Sequence, residues 1–298
     1  MKSRIRTALS LIVISTLIAL ALGGAAPASL ASTVWSNMIV QGVSTNQAAA
    51  AVSANGGQVT ARIDIINAVV AKVPSANIAR LNNTAGVVRA TIDQEVQAAG
   101  AASAADFSTV VGADQVWATG DLGQGVTVAS LDSGIESSLN NLRQDASHQD
   151  RILAYYDVFT GQLYDQADVL QSPRDPSGHG SHVFGIIANS DANSRGIAPD
   201  VKLVAVRVLD QNGMGTYANV LQGLNWVVQH KDQYNIRVLN ISMYATPVAP
   251  YWADPYNLAV MAAWKAGIVV VTSAGNGGPA PLSIGVPGNT PYVITVGA

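Results

Sequence analysis

The 298-residue chain contains no cysteine. Disulfides, thiolate nucleophiles and cysteine metal ligands are therefore excluded. Charge is sparse as well: 12% of residues are charged, the formal net charge is -3, and no basic stripe stands out. That argues against nucleic acid as a main partner. Beyond residue 22 no stretch is long and apolar enough to cross a bilayer. What is present is a chain that is 49% hydrophobic, with 27 glycines. This composition belongs to a globular protein rather than a disordered one, and the length suits one sizeable domain plus a smaller one.

Residues 1–31 have the three-part layout of a secretory signal peptide. Lys2, Arg4 and Arg6 open it, an apolar run follows from Leu9 to Leu22, and Ser29-Leu30-Ala31 suits cleavage after Ala31. The alternative is an uncleaved anchor, for which the apolar run is short. The expectation is a secreted, extracellular protein with no stable membrane association after cleavage. Without disulfides it must draw stability from its core or from bound ions.

Residues 32–98 read as a small α+β domain. Met38–Val43 has strand character, Asn46–Ala54 helical character ended by Asn55-Gly56-Gly57, and Val59–Val73 forms two strands joined near Asn67. Ser75–Leu81 predicts a second helix with Ser75 as N-cap, and Val87–Val96 a last strand. The order β-α-β-β-α-β is ferredoxin-like. Residues 99–106 belong to a run of small side chains with little to anchor it, hence an exposed linker and a natural site of cleavage.

From residue 107 to 298 the pattern is α/β. Val126–Leu131, Leu203–Val208, Val238–Ile241, Ile268–Thr272 and Tyr292–Val296 are short runs rich in Val and Ile, as expected of strands buried on both faces. Thr216–Val228 and Pro255–Ala266 have helical spacing between them. The reading is a doubly wound, mainly parallel sheet, whose working residues collect at the carboxyl ends of the strands.

Three residues stand at such places. Asp132 follows the strand ending at Leu131, where it can orient a partner or simply form a turn. His179 lies in Gly178-His179-Gly180-Ser181-His182, opening the apolar run Val183–Ala188, which reads as a buried helix. That places His179 at a helix N-terminus facing a cleft, with His182 one turn on as a satisfied structural histidine. Two histidines three apart are a partial zinc pattern, but no third ligand stands at a fitting spacing, so no metal site is assigned. Asn276, in Ala274-Gly275-Asn276-Gly277-Gly278 after an apolar strand, can donate its amide to an oxyanion or serve as a left-handed loop residue.

Together these stretches resemble the subtilisin-like serine proteases. The resemblance rests on Val128–Ile135, Gly178–Gly185, Gly196-Ile197-Ala198-Pro199, Ala274-Gly275-Asn276 and Pro291–Ala298. Residues 32–98, with Asn67-Ala68-Val69-Val70-Ala71, resemble that family's inhibitory propeptide. The catalytic order Asp, His, Ser is known for this family. The resemblance implies that Asp132 holds and stabilises the His179 imidazole, that His179 is general base and then general acid, and that Asn276 is the oxyanion donor. A donor of that kind is known in this family to contribute on the order of a few kcal/mol. Gly213 and Gly215 would belong to the edge strand that pairs with an extended peptide, and Ser242 to the opposite substrate-binding strand. Polypeptides are the implied substrates, hydrolysed through an acyl-enzyme. The chain's own propeptide is the implied intramolecular inhibitor, and no cofactor is needed for the chemistry.

The chain also departs from the family pattern. The nucleophile motif Gly-Thr-Ser-Met-Ala is not found in residues 1–298. Ile241-Ser242-Met243 looks a little like it, but precedes Asn276 and follows a strand instead of opening a helix. The expectation is a truncated, inactive fragment, poorly stable because apolar surface is left uncovered. The family usually carries Gly-Gly shortly after the serine matched by Ser242, where Tyr244 and Ala245 stand here. Asn189–Arg195 falls where some members bind structural calcium but matches poorly, and Asp191 and Asn193 read as solvated loop residues. Two alternatives stay open: a non-catalytic peptide-binding pseudoprotease, and a free protease inhibitor made of residues 32–98.

Overall fold

Strand β1 (Trp35–Gly42) alternates its side chains across a sheet that is covered on both sides. In this computed structural model, which describes residues 33–99 and 107–297, Met38 and Val40 face one way and Ile39 the other. β1 lies between β3 (Ala68–Pro74) and β4 (Val87–Ile92), and β2 (Gln58–Ile63) flanks β3, giving the antiparallel order β2-β3-β1-β4. Met38, Val40, Val69, Ala71 and Val73 pack with Ala48 and Val52 of helix α1 (Thr45–Ala54) and Leu81 of helix α2 (Ile78–Asn82). Ser44 caps α1, accepting from Gln47 N at 3.3 Å. Ile39, Ile63, Ala68 and Val70 instead join the main core.

The element order is the one expected, with two corrections. Ser75 is not an N-cap: Ser75–Asn77 is a 3₁₀ turn, and the Ser75 hydroxyl pairs with Ser36 Oγ at 2.8 Å. The last strand is also two strands, β4 and β5 (Glu95–Ala98). The break has a cause. Helix α4 (Tyr217–His230; α3 is His179–Ala188) has N–H groups in its first turn with no intrahelical partner. Asp93 Oδ1 accepts from Ala218 N at 2.8 Å, the Gln94 carbonyl accepts from Tyr217 N at 2.8 Å, and Thr216 Oγ1 accepts from Asn219 N at 3.4 Å. Burial pushes the Asp93 carboxyl up, against the opposing pull of its bonds from Ala218 N and the Thr216 side chain.

The main sheet has the order β14-β13-β11-β6-β9-β7-β8. It comprises β6 (Thr127–Asp132), β7 (Ile152–Asp157), β8 (Gln162–Asp165), β9 (Lys202–Arg207), β11 (Ile236–Ile241), β13 (Val269–Ser273) and β14 (Ile294–Val296). All pairings are parallel except β7 with β8. This is the mainly parallel, subtilisin-like architecture. Helix α5 (Pro255–Lys265) starts with Pro255 behind an Asp254 cap, whose Oδ1 accepts from Tyr256 N and Asn257 N at 2.9 and 3.1 Å. Residues from Trp35 onward group into one unit by contacts. Tyr217, Leu221, Trp226, Tyr256 and Val260 from α4 and α5 share one core with the inner face of the small sheet.

The sequence reading missed β7 and β8. β8 is a short polar edge strand, and β7 starts beside Arg151, a fully buried charge. Arg151 donates to the carbonyls of Leu142, Pro199 and Asn141 at 2.7, 2.5 and 2.6 Å. Burial lowers its pKa to about 10, still high enough to keep the charge near neutral pH.

Burial on both faces holds for β6 and β9, but not for β13 and β14. Val269, Ile294 and Val296 are about half exposed (47%, 55% and 55%), and Trp264 and Tyr292 are exposed beside them. β14 is an edge strand paired among the described residues only with β13. An exposed apolar edge is an association surface. Purified chain is expected to bind hydrophobic dyes and to self-associate in sedimentation experiments. The double substitution Ile294→Lys, Val296→Lys should reduce both; unchanged self-association would exclude this face.

Candidate active site

β6 sits where the chain's winding reverses, with β9 on one side and β11 on the other. Its carboxyl end is the crevice where open α/β sheets carry their working groups. Asp132 is the last residue of β6 and is 1% exposed. The Asp132 carbonyl accepts from Val208 N and Leu209 N at 2.8 and 3.2 Å, which anchors the strand end to the turn after β9.

His179 is the first residue of α3. Its Nδ1 lies 2.7 Å from Asp132 Oδ1. The approach depends on Gly180: a Cβ there would collide with the Gly134 carbonyl oxygen and lie 3.2 Å from the Asp132 Cβ. Gly178 precedes α3 in a left-handed conformation (φ 83°) and gives no side-chain cap. The orphan N–H groups are met from elsewhere. Gly180 N donates to Ser133 Oγ at 3.0 Å and Ser181 N to Asp175 Oδ2 at 2.7 Å. Ser133 Oγ in turn donates to Asp175 Oδ1 at 2.8 Å. Burial pushes Asp175 up, but bonds from Ser181, Ser133 and Gly178 outweigh it and hold the carboxyl below its usual range.

Asp132 Oδ1 also accepts from Ser133 N at 2.8 Å, while Oδ2 is buried with no partner. Burial raises the Asp132 pKa despite the opposing His179 bond. The Asp132 hydrogen bond, working against desolvation, raises the His179 pKa above its ordinary value.

The second ring nitrogen is also engaged. His179 Nε2 lies 3.0 Å from the Ala99 carbonyl oxygen. That carbonyl is brought there by β5, the middle strand of a separate antiparallel sheet between β10 (Met214–Thr216) and β12 (Met243–Tyr244). Gly215 faces Val96, and the Gly213 carbonyl accepts from Ala98 N at 2.9 Å. The Ser242 carbonyl accepts from Ala99 N at 2.9 Å. Four of the six sequence-derived site residues, His179, Gly213, Gly215 and Ser242, thus meet one extended segment, and Asp132 stands behind His179. Asn276 is exposed and lines a 710 Å³ open cavity beside Ala99, together with Asn240, Ser242, Thr272 and Gly275. The left-handed residue of that loop is Gly275 (φ 91°), not Asn276.

A family model described as the subtilase family matches residues 123–298. The chain belongs to the subtilase family. Among relatives of this subtilase is the serine protease AprX of Bacillus subtilis, 33% identical over 252 residues, or 80% of this chain and 52% of AprX. The minor extracellular protease Vpr of the same organism is 34% identical over 197 residues, 65% of this chain and 23% of Vpr. Subtilisin DY of Bacillus licheniformis is 34% identical over 193 residues, 63% of this chain and 62% of that protein. The subtilase thus spans about half the length of AprX and less than two thirds of the other two. Fervidolysin of Fervidobacterium pennivorans, described as a keratinolytic enzyme related to subtilisin, superimposes with a TM-score of 0.65 at 19% identity over 89% of this chain and 43% of its own. That likeness is one of fold.

Sequence reading missed Ser133 and Asp175, which hold the N-terminus of α3, and it singled out Tyr244 as a departure without finding that its hydroxyl meets Gln97. The Asp175-Pro176-Ser177-Gly178 turn four residues before His179 was the available signal for Asp175. His182, expected as a satisfied structural histidine, is exposed, and Ile186 of the expected buried helix is 38% exposed. The loop expected to be a poor calcium site satisfies itself: Asp191 Oδ1 accepts from Asn193 N, Asn189 Oδ1 from Asp191 N, and Asn189 Nδ2 donates to Ser194 Oγ. Among the described residues no group of three His, Cys, Asp or Glu side chains is placed to hold a metal ion.

Proposed function

We propose that this chain carries the peptide groove and the Asp–His pair of a secreted serine endopeptidase, held inactive by its own residues 32–98. The observation that carries the reading is the path of β5. It takes the place of an extended peptide between two strands and ends with the Ala99 carbonyl on His179 Nε2, at 3.0 Å. Strand addition of this kind is a general mode of peptide recognition.

In the reaction, Asp132 holds the His179 ring by Nδ1, and Nε2 takes the proton of an attacking serine hydroxyl, then returns it to the leaving amine. The Asn276 amide, on the rim of the cavity beside Ala99, is the donor for the oxyanion. The acyl-enzyme then hydrolyses by the same steps with water as nucleophile. The serine itself has no counterpart in residues 1–298, so these residues alone are inactive. The small domain acts as an inhibitory propeptide, and the linker 99–106, most of it outside the described residues, is the maturation site. Secretion is supported by the layout of residues 1–31, also outside the described residues apart from what the sequence states. No helix among the described residues is long and apolar enough to span a membrane.

Fluorophosphonate labelling tests the reading. The 298-residue chain is expected to stay unlabelled and to hydrolyse no fluorogenic peptide. Any longer form that bears the serine motif is expected to label there and to break within residues 99–106, as read by intact mass. Labelling of Ser242 would reassign the nucleophile, and a mature N-terminus beyond Val110 would contradict the inhibitor role. Pure peptide binding without catalysis is less well supported, because a binder has no use for a buried carboxylate 2.7 Å from an imidazole.

A further inference from the structure

Main-chain pairing in the groove is blind to sequence, so selectivity must come from side chains. Along β5, Val96 turns into the apolar core and Ala98 sits against Gly213, whose added Cβ would lie 3.2 Å from the Ala98 Cβ. Gln97 points the other way, is exposed, and lies directly across from Tyr244. Its Nε2 donates to the Tyr244 hydroxyl at 2.8 Å.

The Tyr244 ring is held from behind. A Cβ on Gly275 would lie 3.0 Å from Tyr244 Cδ2, and one on Gly285 would lie 3.2 Å from Tyr244 Cβ and Cδ2. Gly275 is left-handed (φ 91°), so both its backbone and its missing side chain admit the ring. With the ring seated on two glycines and the backbone paired at Gln97, the hydroxyl stands at one place beside the bound strand. A phenol whose position is set by packing costs little further entropy when it makes its bond.

We propose that Tyr244 is a specificity-determining residue: it selects peptides bearing a glutamine-length hydrogen-bonding side chain two residues before the carbonyl presented to His179. This rests on the peptide-groove reading above but not on hydrolysis. The site is exposed, so the preference over an apolar side chain of equal length is about two- to tenfold, the range of one net hydrogen bond.

The chain's own strand allows the test in cis, without any nucleophile. Ala98 N and Ala99 N donate into the groove, so their hydrogen exchange, corrected for intrinsic rates, reads how firmly the strand is held. In the 298-residue chain, Gln97→Leu and Tyr244→Phe are each expected to speed exchange at both amides about two- to tenfold. The double variant should be no faster than the faster single one, since both remove the same bond. Gln97→Asn, too short to reach the hydroxyl, should behave like Gln97→Leu. Unchanged exchange in Gln97→Leu, or effects that multiply in the double variant, would overturn the proposal. Exchange at Ala129 in β6 monitors the fold; if Tyr244→Phe disturbs it, the exposed Gln97 variants decide by themselves. The fluorophosphonate result bears only on hydrolysis, so failure of that reading and failure of this one are told apart.

Discussion

Replacing Val96 by aspartate is expected to expel β5 from the groove. Val96 is 1% exposed and belongs to the core formed with Val208, Leu209 and Tyr217. Its Cγ2 would lie 3.3 Å from a Cβ on Gly215, so the side chain packs closely against that backbone. Burying a carboxylate there adds desolvation to the loss of the apolar contact, together on the order of 3–5 kcal/mol. The bonds at Ala98, Ala99 and His179 are individually worth about 1 kcal/mol and cannot hold the strand alone. Exchange protection of residues 96–99 should fall to the level of an unfolded chain. β1–β4 should keep theirs, because Ile39, Ile63 and Val70 still bind the small sheet to α4 and α5. Retained protection at Ala98 and Ala99 would contradict this account. Val96→Ala, which only leaves a small void, should cost about 1–2 kcal/mol.

Raising the pH is expected to loosen the same strand, and lowering it to tighten it. Both ring nitrogens of His179 face acceptors: Asp132 Oδ1 at 2.7 Å and the Ala99 carbonyl at 3.0 Å. Only the imidazolium donates from both nitrogens. The charged groups around the ring are Asp132 on β6 and Asp175 in the loop before α3, and no cation opposes them in the shift of His179. The His179 pKa is raised chiefly by the Asp132 bond, which stays when the strand leaves, and further by the bond to the Ala99 carbonyl, which is lost; through that second bond the docked state binds a proton that the released state gives up more readily. That stabilisation is complete below the His179 pKa of the released state and is lost as the pH rises through the higher value of the docked state. Asp93, raised by burial at the start of α4, acts with the same sign in a more acid range. Nitrogen-detected NMR of His179 should show both nitrogens protonated at about pH 6.5 in the native chain, and a lower pKa in Val96→Asp. Asp132→Asn removes the carboxylate and should lower the pKa further, leaving an Nε2 lone pair against the Ala99 oxygen at neutral pH. A His179 that titrates at or below its ordinary value while Ala99 stays protected would refute the linkage.

The elements that carry the site were legible because their signals are local. Val126–Leu131 is broken only by the small hydroxyl residues Thr127 and Ser130, which a strand buried on both faces can hold, and Asp132 ends it. The glycines around His179 mark a close approach, which the collision of a Gly180 side chain with Gly134 explains. Thr216 and Asp254 precede helices that they cap. Strand boundaries were less legible where a tertiary partner intervenes. Val87–Val96 alternates as one strand, yet Asp93 and Gln94 are drawn onto the end of α4, about 125 residues away in sequence. β8 carries too little apolar character to be read, and β14 looks like a core strand although it stands at an open edge.

The sequence by itself determined the kinds and order of most elements, because apolar period, glycine placement and capping act over a few residues; it pointed to Asp132 and His179 as a pair only through their resemblance to the subtilisin-like pattern. It also determined that no thiol or disulfide takes part. Only the tertiary structure decided what meets those residues. The union of Ser133 with Asp175 spans 42 positions, that of Asp132 with His179 spans 47, and that of Gln97 with Tyr244 spans 147. Hydrogen bonds over such separations depend on the sheet order and on the path of β5, and neither is written in any local pattern.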